Sequence, residues 1–244
     1  MANDSGQSID SNPLEAVIVL DDPPCKVRLK SNPRSRNFNL RLDPSGIAVL
    51  SHPPWVPEQE TRAFLQRHAG WLRRALARQP RVIALAEGTE LPVDGIPRTV
   101  ELRPGPRRAP LLEDRRVILQ GEGAPGPRLS QWLKLRARDR LEPAVRHYAA
   151  LLDKSVERIA LRDTRSRWGS CSTSGTISFS WRLAMAPPEV QDYVAAHEAA
   201  HIVEMNHSPA YWAVVERLMP GWKPHRDWLK REGRKLHAYQ FNGD

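Results

Sequence analysis

The sequence predicts an α+β protein: an antiparallel β-rich N-terminal unit with one helix, then a small α+β domain whose central helix carries two spaced histidines. Three observations predict it. Short alternating apolar runs, punctuated by Pro, Gly and Asp, fill the chain up to residue 120. Beyond residue 128, apolar residues recur at helical spacing over much longer stretches. Proline is abundant, at 22 of 244 residues, which favours turns and extended segments over a helical bundle.

The elements follow in order. Residues 1–13 are small, polar and proline-ended, and read as a flexible tail. They lack the basic and apolar regions of a secretory signal. Four strand-like runs come next: AVIVL (16–20), CKVRLK (25–30), NFNLRL (37–42) and GIAVLS (46–51). The turn segments DDPP, SNPRS and DPSG separate them. Pro57 opens one helix that runs to Pro80, with Glu58 and Glu60 at its positive end and Phe64, Leu65, Trp71, Leu72 and Leu76 near one face. Strands resume at 81–85, at 89–103 around the hairpin signal Asp94-Gly95, and at 115–120. The Gly/Pro-rich run GEGAPGP (121–127) reads as a linker, placing a β-rich region at 14–126 and a second domain at 127–244. A long helix over 129–152, which Pro143 would kink, is followed by a β-hairpin over 167–183 with Ile177, Phe179, Trp181 and Leu183 on one face. Pro187-Pro188 opens a helix reaching Met205, Ser208-Pro209 caps another, and Pro224 begins the last. No internal repeat is visible.

Charge and cysteine usage narrow the class. The net charge is +9, and it is uneven: residues 1–150 hold 24 Lys/Arg against 17 Asp/Glu, and 151–244 hold 13 against 11. A basic N-terminal half suits nucleic acid, a nucleotide or an acidic surface as partner, or is simply a solvated face. Two distant cysteines, Cys25 and Cys171, fit a reducing compartment and predict a cytoplasmic protein. No apolar run is long enough for a membrane span, so no membrane partner is expected.

Residues 197–201 read His-Glu-Ala-Ala-His. Four helical residues turn roughly 400° and rise roughly 6 Å, so both imidazoles share a face one turn apart. One small cation can take a nitrogen from each at roughly 2.0–2.1 Å. Glu198, beside the first histidine, stands where a carboxylate can deprotonate an attacking water. A catalytic zinc takes three protein ligands and keeps one position open. His207 would supply the third only if the helix stops before it, and Asn206 is a fair left-handed stop residue. Glu204, Glu216 and His225 are rival third ligands. The spacing HExxHxxxxxH matches that of metzincins, but Glu204 occupies their glycine position.

Arg167–Cys171 (RWGSC), Ile177–Leu183 (ISFSWRL), Ala186–Pro188, the HEAAH helix and Asn206–Trp212 (NHSPAYW) together resemble the YgjP-like metallopeptidase family, small zincins related to SprT-type proteins. The likeness is dense over 162–235, and 34–42 and 68–74 resemble the family's N-terminal part. It implies a zincin-like catalytic domain at 127–244. His197, His201 and His207 would bind Zn2+ there, Glu198 would be the catalytic acid/base, and a peptide or protein would be the substrate. This chain departs from the family at Ala199-Ala200, where a bulkier residue is usual, and at Tyr211, where phenylalanine is common. Two alternative functions share the metal site: hydrolysis of a nucleotide phosphoanhydride, and proteolysis in association with nucleic acid. Cys171 reads as a packed turn residue rather than a nucleophile. Strand 177–183 reads either as a substrate-binding edge or as an ordinary amphipathic strand. The five tryptophans of the second half read as core rather than as stacking platforms for bases.

Overall fold

The computed structural model describes residues 17–43, 46–77 and 82–241. The tail read over 1–13 lies outside the described residues. Contacts divide the chain into two compact units, Met1–Gln79 and Pro80–Asp244.

The first unit holds β1 (Val17–Asp21), β2 (Pro24–Ser31), β3 (Asn39–Leu42), β4 (Ala48–His52), α1 (Glu58–Arg67) and α2 (Ala69–Ala77). Its sheet has the order β1-β2-β4-β3. The outer pairs are antiparallel, as the alternation suggested, but β2 and β4 run parallel, so the sheet is mixed. The cause is the run after β2, which crosses to the far edge before β3 and β4 pair. The helix read as one is two. It breaks at His68, whose φ and ψ of -101° and 8° leave the helical region and whose Nδ1 turns back to the Phe64 carbonyl at 2.9 Å. Ile18, Val27, Leu29, Ala48, Leu50, Leu65 and Leu72 form this unit's core.

The second unit begins with β5 (Ile83–Ala84), β6 (Glu90–Val93), β7 (Ile96–Arg103), β8 (Leu111–Glu113) and β9 (Arg116–Gln120). The last four make a sheet of order β6-β7-β9-β8, with β7 and β9 parallel and the outer pairs antiparallel. Order and directions repeat those of the first unit, a likeness of topology that the residues conceal. Next come α3 (Pro125–Ala150), β10 (Arg158–Arg162), β11 (Gly169–Cys171), β12 (Thr176–Ser180) and a 3-10 helix at Trp181–Met185. The unit ends with α4 (Pro188–Ala200), α5 (Pro209–Leu218), α6 (Lys223–Glu232), a 3-10 helix at Gly233–His237, and β13 (Tyr239–Gln240), which pairs with β5.

The run 121–127, read as a linker, lies inside this unit and is pinned. The buried Arg128 donates to the carbonyls of Gly121, Gln120 and Arg108. A side chain at Gly126 would strike the Phe241 carbonyl oxygen at 2.4 Å, and one at Gly121 the Arg107 backbone at 2.7 Å. These glycines serve close approach rather than flexibility.

Every fourth residue of α3 from Leu129 to Ala149 is fully buried, at Leu129, Leu133, Ala137, Leu141, Val145 and Ala149. This stripe packs beside α4. Cutting Leu133 back to alanine there would cost about 2–5 kcal/mol. In α4 itself Ala195, Ala196, Ala199 and Ala200 are all fully buried, so the helix is enclosed on most of its surface rather than lying on the protein exterior. The hairpin read over 167–183 is present as β11 and β12, but it stops at Ser180, and Trp181 and Leu183 are buried from the 3-10 helix that follows. Strand order also corrects one reading. β12 lies between β10 and β11, so it is the centre of its sheet, and β11 is the edge.

Candidate metal centre

Pro187 and Pro188 start α4 without a side-chain cap, and the helix carries His197 and Glu198 in its last turn. It ends at Ala200 with His201 as C-cap, earlier than the stop expected at Asn206. Asn206 is not in the left-handed region. Its side-chain oxygen instead accepts from the Ser208 N–H at 3.2 Å, making a tight turn. Ser208 then caps α5, its Oγ accepting from the Tyr211 N–H at 3.3 Å. Between these two devices the chain reverses, and His207 comes back over α4.

The reversal brings His197, His201 and His207 together, with one ring nitrogen from each within 4.8 Å of the others. The Nε2 atoms of His197 and His207 stand 3.3 Å apart. Two nitrogens each roughly 2.0–2.1 Å from one tetrahedral ion are about 3.3–3.4 Å apart, so the spacing fits a zinc-sized cation. The rings are set for that task. The His201 Nδ1–H donates to the Glu204 carbonyl at 3.0 Å, which leaves Nε2 with its lone pair. The His197 Nδ1 faces the Tyr193 hydroxyl at 3.4 Å. Burial, with the neighbouring histidines, pushes the His197 pKa down to about 3 and that of His201 down as well, so both rings are neutral at pH 7. The rival ligands Glu204, Glu216 and His225 are not in the cluster.

Glu198 is 3% exposed, and its Oε2 has no hydrogen-bond partner among the described residues. Burial pushes its carboxyl up to about 8, against the opposing positive charge of Arg167. β11 runs immediately beside it. A Cβ on Gly169 would lie 2.3 Å from Glu198 Oε1, so only glycine lets the strand come this close. Cys171 is half-buried, and its thiol is pushed up to about 11, chiefly by burial and then by Glu198. It is a protonated packing residue.

Two groups escaped the sequence. Tyr211, noted there only as a departure, is fully buried at the centre of the three histidines. Its ring stacks on His201 at 4.4 Å and meets His197 and His207 edge-on, and its hydroxyl donates to the His197 carbonyl at 2.9 Å. Arg226 is the other. Its guanidinium lies 4.9 Å over Trp212 and 5.5 Å over Trp222, two rings that themselves stack at 4.5 Å. A helix-phase reading of Tyr211 marks it as buried. The Arg226 stack joins two helices and leaves no local signal.

These groups open on a cleft of about 1080 Å³, lined by the three histidines, Glu198, β11 and the exposed side of α6. Residues 36–232 match the family model described as YgjP-like, metallopeptidase domain. No curated protein sequence matches the chain. Among solved structures, the metallopeptidase zymogen of Pyrococcus abyssi abylysin is similar over 38% of this chain and 95% of its own, at 24% identity and a TM-score of 0.34.

Proposed function

The chain belongs to the YgjP-like metallopeptidase family, and from that premise we propose that it is a zinc-dependent peptidase, with His197, His201 and His207 as ligands and Glu198 as general base. Family and histidine cluster make it a metal-dependent peptidase. Zinc, the ligand set and the base are our own reading. One observation carries it: the 3.3 Å approach of the His197 and His207 nitrogens beside a buried carboxylate with one unpaired oxygen.

Zinc, when bound, supplies a Lewis acid that polarises a scissile carbonyl and lowers the pKa of water. The chain's own groups do the rest. Glu198, enclosed and free at Oε2, would take the proton of the attacking water and return it to the leaving amine, the charge of a bound cation offsetting the burial that raises its carboxyl. The Glu204 carbonyl and Tyr193 hold the His201 and His197 rings in register. Tyr211 fixes all three rings through stacking and its bond to the His197 carbonyl. The substrate is a peptide or protein. Among the described residues no helix is long and apolar enough to cross a membrane. The unpaired Cys25 and Cys171 support a reducing, cytoplasmic setting.

The test pairs zinc analysis with turnover on a casein digest for wild type, Glu198→Gln and His207→Ala. Glu198→Gln should keep its zinc and lose roughly 10²–10⁴-fold in rate. His207→Ala should lose zinc. A glutamine variant with both zinc and near-normal turnover would show that the carboxylate is not the base.

A further inference from the structure

We propose that the cleft selects acidic polypeptide, a specificity that rests on the peptidase reading above. Six cations line it. Arg165 and Arg167 come from the segment before β11, Arg226, Lys230 and Arg231 from α6, and Arg234 from the turn that follows. The one carboxylate in the lining is Glu198, which is 3% exposed. Across the whole chain Lys and Arg outnumber Asp and Glu by only 37 to 28, so a lining of six cations to one carboxylate is not inherited from composition. Charge counted along the sequence hides this, because residues 151–244 are nearly neutral as a stretch, with 13 basic and 11 acidic side chains.

Four of the six cations have no carboxylate ion-pair partner among the described residues. Lys230 has Asp227 at 3.5 Å, but among the described residues Arg167, Arg231 and Arg234 have no carboxylate within ion-pair distance. Arg226 is held by two tryptophan rings instead of by an acid. Five of the six are exposed and Arg226 is half-buried, so the field of this concave, single-sign wall reaches whatever enters and is screened by salt.

The same cleft presents backbone suited to an extended chain. β11 pairs on one side only. The Ser180 N–H donates to the Trp168 carbonyl and the Ser172 N–H to the Thr176 carbonyl, so residues 168, 170 and 172 spend their polar groups on β12. The alternate residues, Gly169 and Cys171, therefore turn their N–H and C=O groups outward, beside Glu198. Nucleic acid would want open aromatic faces. Here Trp212 and Trp222 stack on each other and Trp168 stacks on His237 at 4.9 Å. Acidic side chains on a strand laid along β11 meet both features at once.

The experiment measures kcat/KM for three internally quenched decapeptides with the same scissile bond, flanked by Glu, Gln or Lys. The zinc-loaded full chain should prefer Glu over Gln by about tenfold at low salt, and the ratio should shrink towards one near 0.5 M salt. The double variant Arg231→Glu/Arg234→Glu should reverse the order in favour of Lys. If that variant unfolds by circular dichroism, Arg231→Gln should still narrow the Glu-to-Gln ratio. Equal rates for the three peptides, or a wild-type preference for Lys, would overturn the proposal. Failure of the peptidase reading looks different: no peptide is cut, yet Glu198→Gln still binds the fluorescent Glu peptide more tightly than the Gln peptide by anisotropy. A mixed-sequence single-stranded DNA that outcompetes the Glu peptide would assign the cleft to nucleic acid and sink the acidic-peptide assignment.

Discussion

Gly169→Ala adds one methyl group where β11 touches the general base. The added carbon would sit 2.3 Å from Glu198 Oε1 and 2.6 Å from its Cγ and Cδ. An ordinary contact needs about 1 Å more. The glutamate is 3% exposed and cannot swing aside into solvent. Either the strand edge retreats or the carboxylate tilts away from the three histidines. The backbone at 169 is not in the left-handed region, so the effect is purely one of space. A misplacement of about 1 Å at a reacting group costs on the order of 10²-fold in rate. The overpacking itself costs about 1–3 kcal/mol of stability. We therefore expect turnover on a peptide substrate to fall roughly 100-fold while zinc content stays near one per chain, since none of the three histidines is touched. The assay is kcat and zinc stoichiometry on the same preparation, with a urea melt to follow stability. Wild-type turnover from a folded Gly169→Ala protein would mean that the strand and the glutamate do not meet as described, and the argument from close approach would fail.

Three further outcomes follow from the same structure. Tyr211→Phe removes one buried hydrogen bond to the His197 carbonyl and should cost about 1 kcal/mol with zinc retained. A melt unchanged within error would make that bond dispensable. Arg182 is 3% exposed, grips Asp163 through two bonds and donates to the Leu236 and Tyr239 carbonyls. Asp163 is exposed, so the loss falls mainly on the two carbonyls: Arg182→Ala should destabilise the second unit by about 2–4 kcal/mol in urea unfolding, and a loss below about 1 kcal/mol would contradict it. Burial, then Arg182, holds the His237 pKa down at about 4, below its ordinary 6.5. Its neutral ring therefore favours the folded state fully above about 6.5, and that stability is lost as pH falls from 6.5 towards 4. After allowing for screening of the partly exposed ring, the loss is on the order of 1–2 kcal/mol. His237→Phe should flatten this part of the stability–pH curve, and an unchanged slope would exclude the ring as its source.

What could be read in the sequence was local. The HEAAH spacing is a fact of helix pitch, and Ser208-Pro209 marks a helix start by chemistry that needs no partner. The structure places His197, His201 and His207 together because those two signals bracket a reversal. What escaped was set by distant contacts. The glycines of 121–127 look like a linker until Arg128 and Phe241 are seen against them. The alternation of 177–183 gives a buried face but not a place in the sheet, and β11, only three residues long, carries too little pattern to mark it as the edge. Tyr211 has the same helical phase whether its hydroxyl is used or idle. The cationic cleft draws on two segments about 60 residues apart, and counting charge along the chain averages it away.

The two sheets of like order bear on how the chain reaches its fold. In each, the outer hairpins are local and can close within about 1–10 μs. The inner parallel pair joins Val27 to Ala48 in one sheet and Val100 to Val117 in the other. It must wait for a longer loop to close around a hairpin already made. While it waits, the β3–β4 and β8–β9 hairpins offer acceptor edges of the same polarity, so β2 and β7 each face a correct partner and a decoy. Synthesis from the N-terminus resolves the choice by order of arrival, because the first sheet can close before β7 is made. Refolding from denaturant releases both hairpins at once and has no such clock.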